Sequence, residues 1–134
     1  MKLRAECVRD VLLTLEDALE VDDMGQTVPY STESLIHEPA LSKYNSGEIL
    51  YTVDRLIEGG YLDARLDYLD SRYKWFMEDH GITYLGHNLI ASIRPQPVWL
   101  SVSRKVAKAS GSVSLSLLST LGEEVLKKFL QESD

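Results

Sequence analysis

The residue types that most often carry catalysis are few in this sequence, and their spacing does not fit an active site. The three histidines, His37, His80 and His87, share no metal-binding spacing, and no H-E-x-x-H motif occurs. The E-D-H run at 78–80 falls where a strand is predicted to end in a turn, a common place for a solvated acidic cluster. The glycine pair 59–60 is not followed by G-K-[ST], and no G-x-S-x-G is present. The sequence therefore predicts a protein that is not an enzyme and that uses no metal or other cofactor.

Charge is distributed unevenly along the chain. Residues 1–94 carry nine Lys and Arg against seventeen Asp and Glu, a net charge of −8, whereas residues 95–134 carry +1, for −7 in all. Affinity for nucleic acid at physiological salt depends largely on basic side chains that neutralise phosphates. Residues 1–94 must therefore concentrate their few cations on one face, or bind something other than DNA.

The sequence also predicts where the protein works. Cys7 is its one cysteine, which excludes an internal disulfide or a multi-cysteine zinc site and is typical of a reducing cytoplasm. The amino-terminal run MKLRAECVRD is charged where a signal peptide needs apolar residues. No stretch approaches the ~18 consecutive apolar residues that a membrane span requires. We expect a cytoplasmic protein with no membrane span.

Apolar periodicity and capping residues predict the first elements. Residues 3–19 are amphipathic at helical spacing. A loop with a short strand near Val28 and one or two short helices around Pro39 come next. Asn45 and Glu48 have the spacing of a capping box at the start of a longer third helix, which Gly59 or Gly60 terminates.

The sequence after this helix predicts a β-hairpin and a fourth helix. YLDARLDYL alternates apolar and polar residues, DSR makes the turn, and YKWFME is the returning strand. Thr83 is the predicted N-cap of a helix that runs to about Arg94 and has Leu85, Leu89, Ile90 and Ile93 on its inner side. This order is that of a winged helix-turn-helix. The predicted fold is therefore mainly α with a small β-hairpin: a winged-helix core over 1–94 and a helical C-terminal extension over 95–134.

The extension carries apolar residues about every four positions among many Ser and Ala residues. Small residues permit close helix packing, so a homodimer through this tail is one prediction, and a tail that folds back on the core is the other. Gly111 and Gly122 are expected to divide the tail, with a strand at SVSLSL as the less favoured alternative and membrane-surface binding as a third possible role. The residues predicted to mediate self-association are Val102, Val106, Val113, Leu117, Leu121 and Val125.

In a DNA-binding winged helix, the outer face of the third helix enters the major groove. That face combines three acids with one base here, and acids repel the flanking phosphates. The predicted DNA contacts on the helix and the hairpin are Tyr51, Thr52, Arg55, Arg65, Arg72 and Lys74. The alternative is an acidic face that binds a protein through Glu48, Asp54, Glu58, Asp63 and Asp67.

Four phrases of the sequence resemble one family: AECVRDVLLTLE, LSKYNSGEILYTVDRLIEGGYL, GITYLGHNLIASIRPQPVW and ASGSVSLSLLSTL. The chain is similar over nearly its whole length to small bacterial and phage proteins grouped as a domain of unknown function, which are frequent in prophages and other mobile elements. The resemblance implies a winged-helix-like core with a helical tail and assigns no chemistry. Gly47 stands where such sequences carry a better helix former.

Two functions follow as hypotheses. The first is a transcription-regulator-like protein of a phage or mobile element that binds double-stranded DNA through the third helix and the hairpin. The second is an acidic module that mimics the charge of nucleic acid and occupies the basic groove of a host nuclease or defence complex, as an anti-CRISPR protein does.

Overall fold

The chain is mainly helical and contains one small antiparallel sheet. The computed structural model describes residues 2–69, 72–109 and 114–132, with the backbone alone described for 65–69 and 72–80. The elements in chain order are α1 (Ala5–Ala18), β1 (Thr27–Ser31), α2 (Thr32–Leu35), a 3-10 helix (Pro39–Leu41), α3 (Ser46–Glu58), β2 (Leu62–Leu69), β3 (Arg72–Ile82), α4 (Tyr84–Ile93), α5 (Gln96–Lys108) and α6 (Leu115–Glu132).

Side-chain caps fix the starts of α3 and α4, as predicted. The Asn45 Oδ1 atom accepts a hydrogen bond of 2.8 Å from the backbone N–H of Glu48. The Thr83 Oγ1 atom accepts one of 3.1 Å from the N–H of Gly86. Each bond satisfies an N–H group that has no partner within its own helix.

The glycine pair ends α3, and the second glycine is the one in the left-handed conformation. Gly60 has φ +83°. The N–H of Gly60 donates to the carbonyl of Ile57 (3.1 Å), and that of Tyr61 donates to the carbonyl of Leu56 (2.9 Å). These two bonds form a Schellman motif, which only a residue tolerant of positive φ closes without strain. The predicted helix terminator is therefore Gly60 rather than Gly59.

The three strands lie in the order β1-β3-β2, and both neighbouring pairs are antiparallel. The hairpin pairs from Leu62 opposite Ile82 to Leu69 opposite Arg72, which confirms the predicted hairpin. The short strand predicted near Val28 is also present, as β1, and it pairs with residues 76–79 of β3. Among the described strands, only β2 pairs with residues 72–75, so the distal hairpin continues past β1 as a two-stranded ribbon.

One hydrophobic core joins the helices on both sides of Pro95. Buried residues of α1, α3 and α4 belong to the same cluster as buried residues of α5 and α6. The fully buried members include Val8, Leu12, Leu15, Ile49, Val53, Leu56, Leu89, Ile93, Val98, Val102 and Leu118. The described part of residues 95–134 therefore packs against the helices that precede it.

Two predictions about helix faces and one about a helix break are wrong. Thr52 is fully buried, because α1 packs against that side of α3 and brings Cys7 within hydrogen-bond distance of its hydroxyl. Leu85, predicted to face inward, is 51% exposed. Gly122 does not divide the tail but lies inside α6, where a Cβ atom would stand 2.6 Å from the Ser92 Oγ atom. A glycine there allows α6 to approach α4 closely.

The remaining tail predictions fall partly outside the described residues. Gly111 and Val113 belong to 110–113, and α6 begins at Leu115 within the run that also fitted a strand. In the described ranges, no helix combines the length and the hydropathy that crossing a bilayer demands.

Candidate functional site

The outer side of α3 and the start of β2 form the first candidate site. We call it the α3 face and define it by Tyr51, Asp54, Arg55, Glu58 and Asp63. The side chains of Asp54, Arg55 and Glu58 are 44%, 34% and 68% exposed, and Asp63 is exposed as well. Tyr51 is half-buried. Spacings of three and four residues place the four helical members on one side of α3.

Arg55, the one basic residue of α3, is held by acids of its own helix. Its Nη2 atom lies 2.6 Å from the Asp54 Oδ2 atom, and its Nη1 atom lies 3.5 Å from the Glu58 Oε2 atom. The guanidinium carbon stands 5.3 Å from the centre of the Tyr51 ring. The hydrogen bond to Asp54 raises the pKa of Arg55. The α3 face therefore presents a neutralised arginine beside surplus carboxylate charge.

Glu48, predicted as part of the acidic face, is occupied elsewhere. Its two carboxylate oxygens accept hydrogen bonds from Nε and Nη2 of Arg4, at 2.5 and 2.6 Å. Its side chain is only 12% exposed. This bidentate pair ties the start of α1 to the first turn of α3, and it raises the pKa of Arg4. Glu48 thus has a structural partner within the chain.

Thr52, predicted as a DNA contact, lies at the edge of the buried side of α3, turned toward α1. Its hydroxyl donates to the carbonyl of Glu48 (2.8 Å) and lies 3.3 Å from the Cys7 Sγ atom. Burial raises the pKa of the Cys7 thiol to about 11. Thr52 therefore belongs to the interface between α1 and α3 and cannot reach a ligand outside.

The side chains of Arg65, Asp67, Arg72 and Lys74 lie outside the described part of the chain, but their backbone register is described. Asp67 pairs with Lys74, and Leu69 pairs with Arg72. Residues opposite each other in an antiparallel pair share a face of the sheet, and successive residues alternate. These positions, with that of Arg65, consequently fall on one face of the hairpin.

Two large side chains are exposed in the first turn of α4, and one of them lies close to the end of α3. Tyr84 and Leu85, in the first turn of α4, are 80% and 51% exposed. The Leu85 Cδ1 atom stands 3.8 Å from the position that a Cβ atom on Gly60 would occupy. Exposed apolar groups next to charged ones are typical of protein-binding surfaces, where they supply buried area at the centre of the contact.

A cleft between α1 and α5 is the second candidate site. Its volume is about 470 Å³, within the range of small-molecule sites. We call it the α1–α5 cleft. Its walls are formed by Arg4, Ala5, Glu6, Arg9, Asp10, Lys43, Gln96, Trp99, Ser103, Val106 and Ala107.

Arg9 bridges the cleft wall to the end of α4 through neutral oxygens. Its Nε atom donates to the carbonyl of Ile93 (2.9 Å), and its Nη2 atom donates to that of Arg94 (2.8 Å). Its guanidinium carbon lies 5.2 Å from the centre of the Trp99 ring. Burial lowers the pKa of Arg9. In the described part of the chain, no carboxylate forms an ion pair with this guanidinium.

The other end of the cleft holds an internal ion-pair network. The Lys43 Nζ atom lies 2.6 Å from the Glu6 Oε1 atom and 3.2 Å from the Asp10 Oδ2 atom. The Tyr44 hydroxyl donates to the same Asp10 oxygen at 2.7 Å. The hydrogen bond from Lys43 lowers the pKa of Glu6. These groups neutralise one another. Among the charged residues of the lining, Arg9 is therefore the one without an ion pair in the described ranges.

The residues predicted for self-association do not form one exposed stripe. Val102 and Val106 are buried in the core of the single chain, so they offer no surface to a second copy. Leu117 is 49% exposed, whereas Leu121 and Val125 pack against the core. The predicted dimer face must be revised, because α5 uses its apolar side to cover α1 and α4.

Sequence reasoning missed the α1–α5 cleft. Its walls join residues some 90 positions apart, Arg9 and Trp99, and no short motif signals such a contact. As for metals, the described residues hold no group of three His, Cys, Asp or Glu side chains placed to bind an ion.

Comparison with known proteins identifies a family without assigning chemistry. Residues 2–112 match the family model described as "Hypothetical protein (DUF2513)". No curated protein and no solved structure matches the chain. Since the match covers most of the sequence, the chain belongs to this family of hypothetical proteins.

Proposed function

We propose that this chain is a non-enzymatic winged-helix module whose α3 face binds a basic surface of a partner protein. The order of α1, β1, α2, α3 and the β2–β3 hairpin supports a winged helix, in which α3 takes the place of the recognition helix. In this proposal α3 is still the binding element, but it binds a protein surface and not nucleic acid.

The observation that carries the proposal is the pairing of Arg55 with Asp54 and Glu58. A helix that reads DNA needs free donors and a positive potential to approach the phosphates. Here the arginine is already neutralised by two carboxylates. A surface rich in Lys and Arg would instead gain from the acids of the α3 face, and complementary potentials favour such an encounter.

The neighbouring apolar groups fit the same kind of partner. Tyr84 and Leu85 can be buried by a protein surface, whereas a phosphate backbone offers little to cover them. An acidic face with exposed apolar groups near its end suits a protein that itself binds nucleic acid, because the basic groove of such a protein has the complementary charge. A host nuclease or a nucleic-acid-guided defence complex is a partner of this class.

Duplex DNA is the second candidate, and the hairpin register favours it. The positions of Arg65, Arg72 and Lys74 fall on one face of the β2–β3 ribbon, which they share with the acids Asp63 and Asp67. A ribbon of this kind can lie along a phosphate backbone as a wing. In this case the hairpin provides most of the binding free energy for DNA, and α3 contributes little to it.

A capture experiment with matched charge changes separates these proposals. The tagged chain, the double variant Asp54→Lys/Glu58→Lys and the control Glu124→Lys/Glu132→Lys on α6 are each incubated with nuclease-treated lysate of the organism that encodes the protein. Both variants change the net charge equally. We expect a partner with a basic surface that the wild type and the control capture and the α3 variant loses. Capture of the same proteins by all three chains would overturn the proposal.

A further inference from the structure

Arg9 differs electrostatically from three other arginines of the described ranges. Arg4, Arg55 and Arg94 each form an ion pair with a carboxylate, on Glu48, Asp54 and Glu16 respectively. The guanidinium of Arg9 is partly buried, and its hydrogen bonds run to carbonyl and amide oxygens only. Asp10 acts on Arg9 only through space, without a direct ion pair. Partial burial of a cation that no carboxylate contacts is unfavourable, and an anion bound directly to it offsets that cost.

The geometry leaves one side of this guanidinium available in the cleft. The bonds to Ile93, Arg94 and Gln96 use Nε and Nη2. Within the described ranges, no residue accepts a hydrogen bond from Nη1. A planar guanidinium with free N–H groups is suited to a carboxylate or phosphate oxygen.

The wall next to Arg9 is aromatic. Trp99 is half-buried, lines the same cleft and packs against Arg9. Ser103 and Gln96 add polar atoms at the rim, while Val106 and Ala107 add apolar surface. The five charged residues of the lining sum to +1, within a chain of net charge −7. A pocket that combines an aromatic wall with one unpaired cation selects for ligands with a ring and a negative charge.

We propose that the α1–α5 cleft binds a small anion that bears an aromatic ring, with the anionic group on Arg9 and the ring against Trp99. Two sources supply this chemistry, a nucleotide and an aromatic carboxylate. The cleft is separate from the α3 face, and the proposal does not depend on the protein partner of that face.

The test is a calorimetric titration of the full chain with four probes. AMP and 4-hydroxyphenylacetate carry both groups, whereas adenosine lacks the charge and inorganic phosphate lacks the ring. We expect AMP or the aromatic carboxylate to bind with a Kd below ~1 mM, and the other two probes to bind at least ~10-fold more weakly. Binding of AMP alone identifies a nucleotide-like ligand, and binding of the carboxylate alone identifies the other source.

Variants locate the binding in the cleft. Ala107→Phe fills the cleft from an exposed helical position, and Arg9→Lys keeps the charge but loses the planar fork. Each is expected to weaken binding at least ~10-fold, whereas Lys105→Gln, which removes a cation of α5 outside the cleft, leaves Kd within about twofold. Circular dichroism confirms that each variant is folded. Failure of both ring-bearing anions to saturate, or undiminished binding by Ala107→Phe, would overturn the proposal.

Discussion

The α3 face and the α1–α5 cleft each place an arginine against an aromatic ring, and the surrounding charges make them opposite. Arg55 lies 5.3 Å from the Tyr51 ring and Arg9 lies 5.2 Å from the Trp99 ring. Arg55 is paired with two carboxylates of its own helix. Arg9 meets neutral carbonyl oxygens. The same arrangement of arginine and aromatic ring thus lies in an acidic surface at the α3 face. In the α1–α5 cleft its arginine has no ion pair.

This difference shows why counting basic residues on a predicted face is a poor guide to its partner. An arginine contributes to phosphate binding only when its charge is free. The sequence predicts that Arg55 lies on the outer side of α3, but it does not predict that Asp54 and Glu58 form ion pairs with it. Conversely, Arg9 lies beside the buried residues of α1, and only the packing of α5 makes it a cleft residue.

The largest expected effect tests which residues belong to the α3 face. Thr52→Lys should lower the free energy of unfolding by about 4 kcal/mol, because the new ammonium group would be buried without a partner. Tyr51→Lys, on the half-buried outer side one residue away, is the matched control and should cost less than about 1 kcal/mol. Urea unfolding measures both values. Equal and small losses would mean that Thr52 faces solvent.

The next effect compares the two arginines directly. Arg9→Met should lower the free energy of unfolding by about 2 kcal/mol, because it leaves the carbonyls of Ile93 and Arg94 without their donor. Arg55→Met should change it by less than about 0.5 kcal/mol, because an exposed ion pair contributes little. The midpoints of urea unfolding measure the two effects, provided that the dependence of the unfolding free energy on urea concentration is the same in each chain. A larger loss at Arg55 would reverse the comparison.

The parts of the fold that depend on local chemistry were predictable from the sequence. Asn45 and Thr83 cap helices because their side chains reach N–H groups of the next turn. Gly60 ends α3, and the alternating strands after it form the hairpin. These features depend on residues close in sequence.

Features that depend on distant contacts were not predictable. Thr52 is polar and its position predicts an outward side chain, but α1 packs Cys7 against it. Gly122 predicts a helix break when only the sequence is considered. In the fold it lies inside α6, where the absence of a side chain allows close packing against α4. Of the candidate sites, the acids and Arg55 of the α3 face were predicted, and the cleft was not, since its walls come from opposite ends of the chain.

A smaller effect concerns the buried side of α3. The pKa of Cys7 in the folded chain is about 11, above its ordinary value of 9.0, because of burial. The unfolded chain therefore loses this proton first as pH rises, and folding stability declines between these two values. We expect the free energy of unfolding to fall by about 1 kcal/mol more between pH 9 and 10 in the wild type than in Cys7→Val.

The comparison with Cys7→Val cancels the contributions of all the other titrating groups, because both chains contain them. Burial also raises the pKa of Tyr44, but its contribution is the same in both chains. Parallel dependence of stability on pH in the wild type and Cys7→Val would contradict the buried placement of the thiol behind the α3 face.

The most direct test of the central claim is a titration of the full chain against labelled duplex DNA, with fluorescence anisotropy followed across salt concentrations. The claim is that the charges of the α3 face are arranged for a basic protein surface and not for phosphates. It predicts no saturable binding at ~100 mM salt, and no change on Arg55→Ala at lower salt. Tight binding with a steep salt dependence that Arg55→Ala weakens would contradict it.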